Sequence, residues 1–154
     1  MDNQRIFMNI LKTQSIKKSL WSLTVKGYSM FPTLQEGDTV TIIHQSDYDV
    51  GDILVFLYKE NTLLIHRLIK KDKGIFYCKG DNAFRLEDVT EENIIGKVHL
   101  INSCALPRCS KEFIDLSYAV NREFVRLRYD IDRTKRSDVF KKFIKKRMEE
   151  NNNG

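Results

Sequence analysis

Three short stretches carry side chains that can do chemistry together. Gly27-Tyr28-Ser29-Met30-Phe31-Pro32, followed by Gly37-Asp38, sets a serine in a small, stiff loop. Leu63-Leu64-Ile65-His66-Arg67-Leu68-Ile69 puts a histidine in the middle of an apolar run. Lys79-Gly80-Asp81-Asn82 is a turn bearing a carboxylate. A serine hydroxyl is a poor nucleophile until a base takes its proton and donors receive the charge that develops on the attacked carbonyl. An imidazole titrates closest to neutrality of the side chains and is the natural base. An acid that holds its tautomer completes the set.

Taken singly, each residue also has a plain structural reading. A turn serine bonds its own backbone, a strand histidine is a satisfied core residue, and a turn aspartate caps amides. For the acid, Asp81, Glu87 and Asp88 all stay open on the residues alone. His44 and His99 sit at strand ends with no motif nearby.

The elements that must position these groups follow from periodicity. Arg5–Ile16 places Ile6, Phe7, Ile10 and Leu11 on one helical face. Trp21–Lys26 alternates, as a strand does, and runs straight into Gly27. Thr39–Ile43, Ile53–Tyr58, Thr62–Ile69, Ile75–Cys78 and Ile94–Ile101 continue the strand series, separated by Gly, Asp and Asn turns. Such spacing predicts a mainly β barrel or sandwich. Beyond Asn102 the period changes. Phe113, Leu116, Val120, Phe124 and Leu127 recur at helical spacing, and a second helix spans Ser137–Glu150 with Ser137 as its cap. The expectation is a β domain over 1–102 and a helical extension over 103–154.

Composition narrows the classes. Two prolines and seven glycines in 154 residues argue against a disordered or fibrous chain. The formal charge of +5 is carried by the tail: from Asn121 onward there are eleven Lys and Arg against six Asp and Glu. Lys141 to Arg147 therefore make a basic face with nucleic acid or an anionic membrane surface as possible partners, beside the reading of a solvated helix face. Cys78, Cys104 and Cys109 match no zinc spacing and are read as reduced thiols in a cytoplasmic protein, with no metal or other cofactor. No apolar run approaches the roughly 20 residues that span a bilayer.

In combination and order the stretches resemble the S24/S26 serine peptidases, which include type I signal peptidases and LexA-like autoproteases. The resemblance covers Val25 to Ile101. Gly27 to Pro32 looks like the nucleophile box, and Val50-Gly51-Asp52-Ile53-Leu54-Val55-Phe56 like the strand after it. Ile65-His66-Arg67-Leu68 resembles the His-Arg box, Lys79 to Asn82 the Gly-Asp-Asn box, and Ile95-Gly96-Lys97-Val98 the closing strand. The resemblance implies a LexA/signal-peptidase-like β fold, Ser29 as nucleophile and His66 as base where many relatives use lysine. It places the orienting acid a few residues after Gly80-Asp81-Asn82, with Asp88 favoured over Glu87 and Asp81 bracing the turn. Tyr28, Met30 and Arg67 flank the pair and are assigned to substrate binding. The implied activity is serine endopeptidase, acting on a peptide or precursor protein, the leader of a ribosomally made, modified peptide being one fit. A non-catalytic peptide-binding module and a repressor-like regulatory domain are the alternatives. The stretches that match do not include the membrane anchor of signal peptidase, so cleavage at the bilayer is not the expected activity.

Overall fold

A computed structural model describes Ile6, Asn9, Ile10, residues 21–59 and residues 62–152. Ile6, Asn9 and Ile10 are helical and exposed; the remainder of the helix expected over 5–16 lies outside the described residues. The rest is a mainly antiparallel β half-barrel followed by helices. Its strands are β1 (Trp21–Thr24), β2 (Thr39–Ile43), β3 (Ile53–Tyr58), β4 (Thr62–Asp72), β5 (Ile75–Lys79), β6 (Glu87–Thr90), β7 (Ile94–Ile101) and β8 (Cys104–Ala105). They pair in the order β1-β2-β7-β3-β4-β5-β6, with β8 on β7.

The sheet is covered on both faces, and β3 at its centre shows why its sequence lacks alternation. Successive side chains of a strand point to opposite faces. Ile53, Val55 and Leu57 join Val25, Val40, Ile42 and Val98 in one core, while Leu54 and Phe56 join Leu68, Phe76 and Val89 in another. Both sets are apolar because both sets are buried. Close approach matters at Gly96: a Cβ there would lie 2.4 Å from the carbonyl oxygen of Ile43, so β2 and β7 meet only across a bare α-carbon.

Three helices follow: α1 (Lys111–Arg126), α2 (Ile131–Lys135) and α3 (Asp138–Asn152). Ser110 caps α1 by accepting from the Phe113 amide, and the Ser137 hydroxyl accepts from the Phe140 amide at 3.2 Å, the cap read from the sequence. The apolar faces of α1 and α3 do not form a separate bundle. Phe113, Ile114, Val120 and Phe143 share a third core with Ile69 of β4 and with Phe84 and Leu86 of the loop before β6. The helical segment is thus packed onto the end of the sheet that carries the serine, histidine and acid stretches. No described helix is long and apolar enough to cross a membrane. Cys78, Cys104 and Cys109 are all free.

Candidate active site

Ser29 sits in the loop that leaves β1. Gly27 has φ +79°, a left-handed conformation that glycine adopts without strain, and it turns the chain out of the strand. The Phe31 amide donates to the Tyr28 carbonyl at 3.1 Å and the Leu34 amide to the Met30 carbonyl at 2.9 Å, closing the loop on itself. Ser29 is exposed at its tip. Among the described residues its N–H donates to nothing.

β4 supplies His66, buried, with its ring edge-on to Phe56. Its Nε2 lies 3.0 Å from the Ser29 hydroxyl, although the two residues are 37 positions apart. On the other side of the ring, Nδ1 lies 3.0 Å from both carboxylate oxygens of Glu87. An ionised carboxylate only accepts, so Nδ1 carries the ring proton and Nε2 is left bare to accept from the serine. That is the tautomer in which an imidazole can take a proton from an attacking hydroxyl.

The acid beside His66 is therefore Glu87, not Asp88. In β6 the burial alternates: Glu87 and Val89 face inward, Asp88 and Thr90 outward. Asp88 pairs across to Tyr77 in the ladder but points to solvent, away from the histidine. Asp81 does not reach His66 either. Its carboxylate is fully buried, accepts from Arg67 Nε at 2.9 Å and Arg67 Nη2 at 2.8 Å, and from the Thr33 hydroxyl at 2.7 Å. Burial alone would raise this carboxyl, but Arg67, Thr33 and Lys79 outweigh it and hold it below its ordinary range. Arg67 is consequently not on the substrate side. It is buried, its third contact is the Gly51 carbonyl at 2.9 Å, and its guanidinium lies against the Phe113 ring.

Asp81 and its neighbours lock the turn against the serine loop. The Asn82 amide donates to the Ser29 carbonyl at 2.8 Å, the Asn82 side chain to the Tyr28 carbonyl at 3.0 Å, and the Asp81 amide to the Met30 sulfur at 3.3 Å. Gly80 sits between the two partners. A Cβ on it would lie 2.5 Å from the Ser29 carbonyl oxygen and 3.3 Å from His66 Nε2. Met30 is buried beneath the loop, while Tyr28 is exposed at its rim.

Sequence reading passed over four contributors. Thr33, Lys79, Phe143 and Arg147 surround the acidic turn from behind. Lys79 is fully buried, donates to the Gly80 carbonyl at 3.0 Å and faces the Phe143 ring at 4.9 Å. Burial pulls its ammonium down to about 8, against the opposing pull of Asp81. Nothing local in the sequence marks these contacts, because Phe143 and Arg147 come from α3. Glu87 owes its inward direction to period two along β6, where the buried Val89 shares its face.

A sequence model described as Peptidase S24-like matches residues 3–99, well over half of the chain. The chain belongs to the S24-like peptidase family. No curated protein matches it. The S24-like region contains Ser29, His66 and Glu87 and ends within β7, so α1, α2 and α3 lie beyond the match. What the helices add to the site, through Phe113, Phe143 and Arg147, is an addition outside the S24-like segment.

Proposed function

We propose that the protein is a serine endopeptidase in which Ser29, His66 and Glu87 act as nucleophile, base and orienting acid. The observation that carries this reading is the unbroken line from the Ser29 hydroxyl through both nitrogens of His66 to Glu87, each step at 3.0 Å. Ser29 Oγ attacks a peptide carbonyl and passes its proton to Nε2. The Glu87 carboxylate stabilises the resulting imidazolium, and the free Ser29 N–H receives the oxyanion. His66 then returns the proton to the departing amine. Water repeats the cycle on the acyl-enzyme, which restores the hydroxyl.

The surroundings support an extended peptide as substrate. A pocket of about 360 Å³ opens beside Ser29, walled by Leu23–Gly27 on one side and Leu63–Ile65 on the other, with Met30 and Leu34 at its base. Among the described residues each wall contains a strand with an unpaired edge. There β1 ends the sheet order, and the Thr62–His66 half of β4 pairs only with β3, because pairing with β5 begins at Arg67. A chain laid between them gains backbone hydrogen bonds from the edges and drops alternate side chains into the pocket. Its apolar lining favours an aliphatic side chain next to the scissile bond. The exposed leader of a precursor peptide meets these demands.

The test is cleavage of a degenerate peptide library by purified protein, followed by mass spectrometry. Cuts after aliphatic residues that vanish in Ser29→Ala support the reading; cuts that persist in Ser29→Ala contradict it. Leu63 is exposed at the pocket rim, so Leu63→Asp leaves folding untouched. It raises KM for the best peptide about tenfold, the scale of losing one buried aliphatic contact. An unaltered KM removes this groove from the account.

A further inference from the structure

Arg147 lies on α3, 118 positions from Ser29, outside the segment matched by the family. Its Nη1 donates to the Asp81 carbonyl at 3.0 Å and to the Asn82 side-chain oxygen at 3.1 Å. Its guanidinium packs over the Phe143 ring at 5.7 Å, on the buried face of the helix. The two contacts matter because of what Asn82 does next. With its oxygen turned toward Arg147, the Asn82 amide nitrogen must face the other way, where it donates to the Tyr28 carbonyl at 3.0 Å.

Tyr28 C=O and Ser29 N–H belong to one planar peptide unit, in which carbonyl and amide point in opposite directions. Holding the carbonyl therefore aims the amide. Two donors hold the Tyr28 carbonyl, the Phe31 amide from within the loop and the Asn82 side chain from the turn. Without Arg147 the Asn82 amide loses the anchor that fixes which of its ends meets Tyr28, the carbonyl keeps only the Phe31 amide, and the unit is held less tightly.

We propose that Arg147 is a positioning residue for the oxyanion donor, acting through Asn82 on the Tyr28–Ser29 peptide, so that the C-terminal helix is a working part of the active site. This inference rests on the serine peptidase reading above. It makes the basic helix asymmetric in purpose: Lys141, Lys142 and Lys145 are exposed to solvent, while Arg147 faces the turn.

A fluorophosphonate probe tests it on the full chain. Ser29 Oγ forms the bond to phosphorus, fluoride leaves, the serine proton passes to His66, and the phosphoryl oxygen occupies the oxyanion position. Arg147→Met keeps an unbranched side chain of similar length beside Phe143 but removes the donors. It slows labelling per folded molecule roughly 10- to 100-fold, a part of what loss of a whole oxyanion donor costs. Arg147→Lys, which keeps a charged N–H donor on the same stem, recovers part of the rate. Asn82→Ala is slowed similarly, and the double variant Asn82→Ala/Arg147→Met is no slower than the slower single, because both changes break one chain of contacts. Lys145→Ala labels at the wild-type rate.

Wild-type labelling of Ser29 with an equal rate in folded Arg147→Met overturns the inference and leaves the peptidase reading standing. Should Arg147→Met fail to fold, a full rate in Asn82→Ala overturns it equally. Wild-type protein that takes no label at Ser29 overturns the peptidase reading and the inference together.

Discussion

Both carboxylate oxygens of Glu87 lie 3.0 Å from His66 Nδ1, while the next residue, Asp88, points to solvent. A one-residue step along β6 thus separates an acid that can hold the histidine from one that cannot. Glu87→Gln keeps the shape but can present an amide donor to Nδ1, which stabilises the wrong tautomer. We expect turnover to fall by about 10³- to 10⁴-fold. Asp88→Asn leaves turnover unchanged. Steady-state rates of the two variants on one peptide decide between them; the reverse pattern would return the role to Asp88.

Gly80 lets the acidic turn lie close to Ser29 and His66. The Cβ of Gly80→Ala would overlap the Ser29 carbonyl oxygen at 2.5 Å, and backbone cannot swing aside as a side chain can. Turn and serine loop must separate. The variant is expected to lose about 1–3 kcal/mol of stability, as overpacked sites do, and nearly all activity. Urea melts and peptide cleavage measured together check this. Full activity in Gly80→Ala would mean that the close approach is not needed.

The Arg67–Asp81 pair is structural, and pH exposes it. Asp81 is held below its ordinary value of 3.8, so its contribution to stability is complete above that pH and is lost as pH falls through the lower, folded value. Lys79 behaves in the opposite sense. Pulled down to about 8 from 10.5, it favours the fold more as pH rises across that interval. Asp81→Asn leaves Arg67 buried without its charge partner and is expected to destabilise by about 3–5 kcal/mol at neutral pH. It also flattens the acid limb of the stability curve, and Lys79→Met removes the alkaline rise. Denaturant melts across pH read both slopes. An acid limb that stays steep in Asp81→Asn would assign it to other carboxyls.

How much of this was written in the sequence depends on the range of the interaction. Strands such as Ile53–Tyr58 and the helices around Phe113 and Phe143 are legible because burial imposes a period on neighbouring residues. Ser29 and His66 are legible because loop and strand motifs surround them. β6 was missed as a strand: four residues with two acids do not look like one, and with it went the choice between Glu87 and Asp88. Arg67 resisted reading for a different reason. A charged residue beside a histidine suggests a groove, and only the buried Asp81, fourteen positions on, shows that its guanidinium turns inward. Arg147 has no local mark at all, since its partners are 65 and 66 residues earlier.

Under the proposed mechanism the Ser29 hydroxyl is a nucleophile activated by His66. Intact-protein and peptide mass spectrometry after exposure to a fluorophosphonate measures this directly. A single adduct on Ser29 is expected, absent in Ser29→Ala and slowed by orders of magnitude in His66→Ala despite an unchanged fold. An unlabelled wild type, or equal labelling with and without His66, would contradict it.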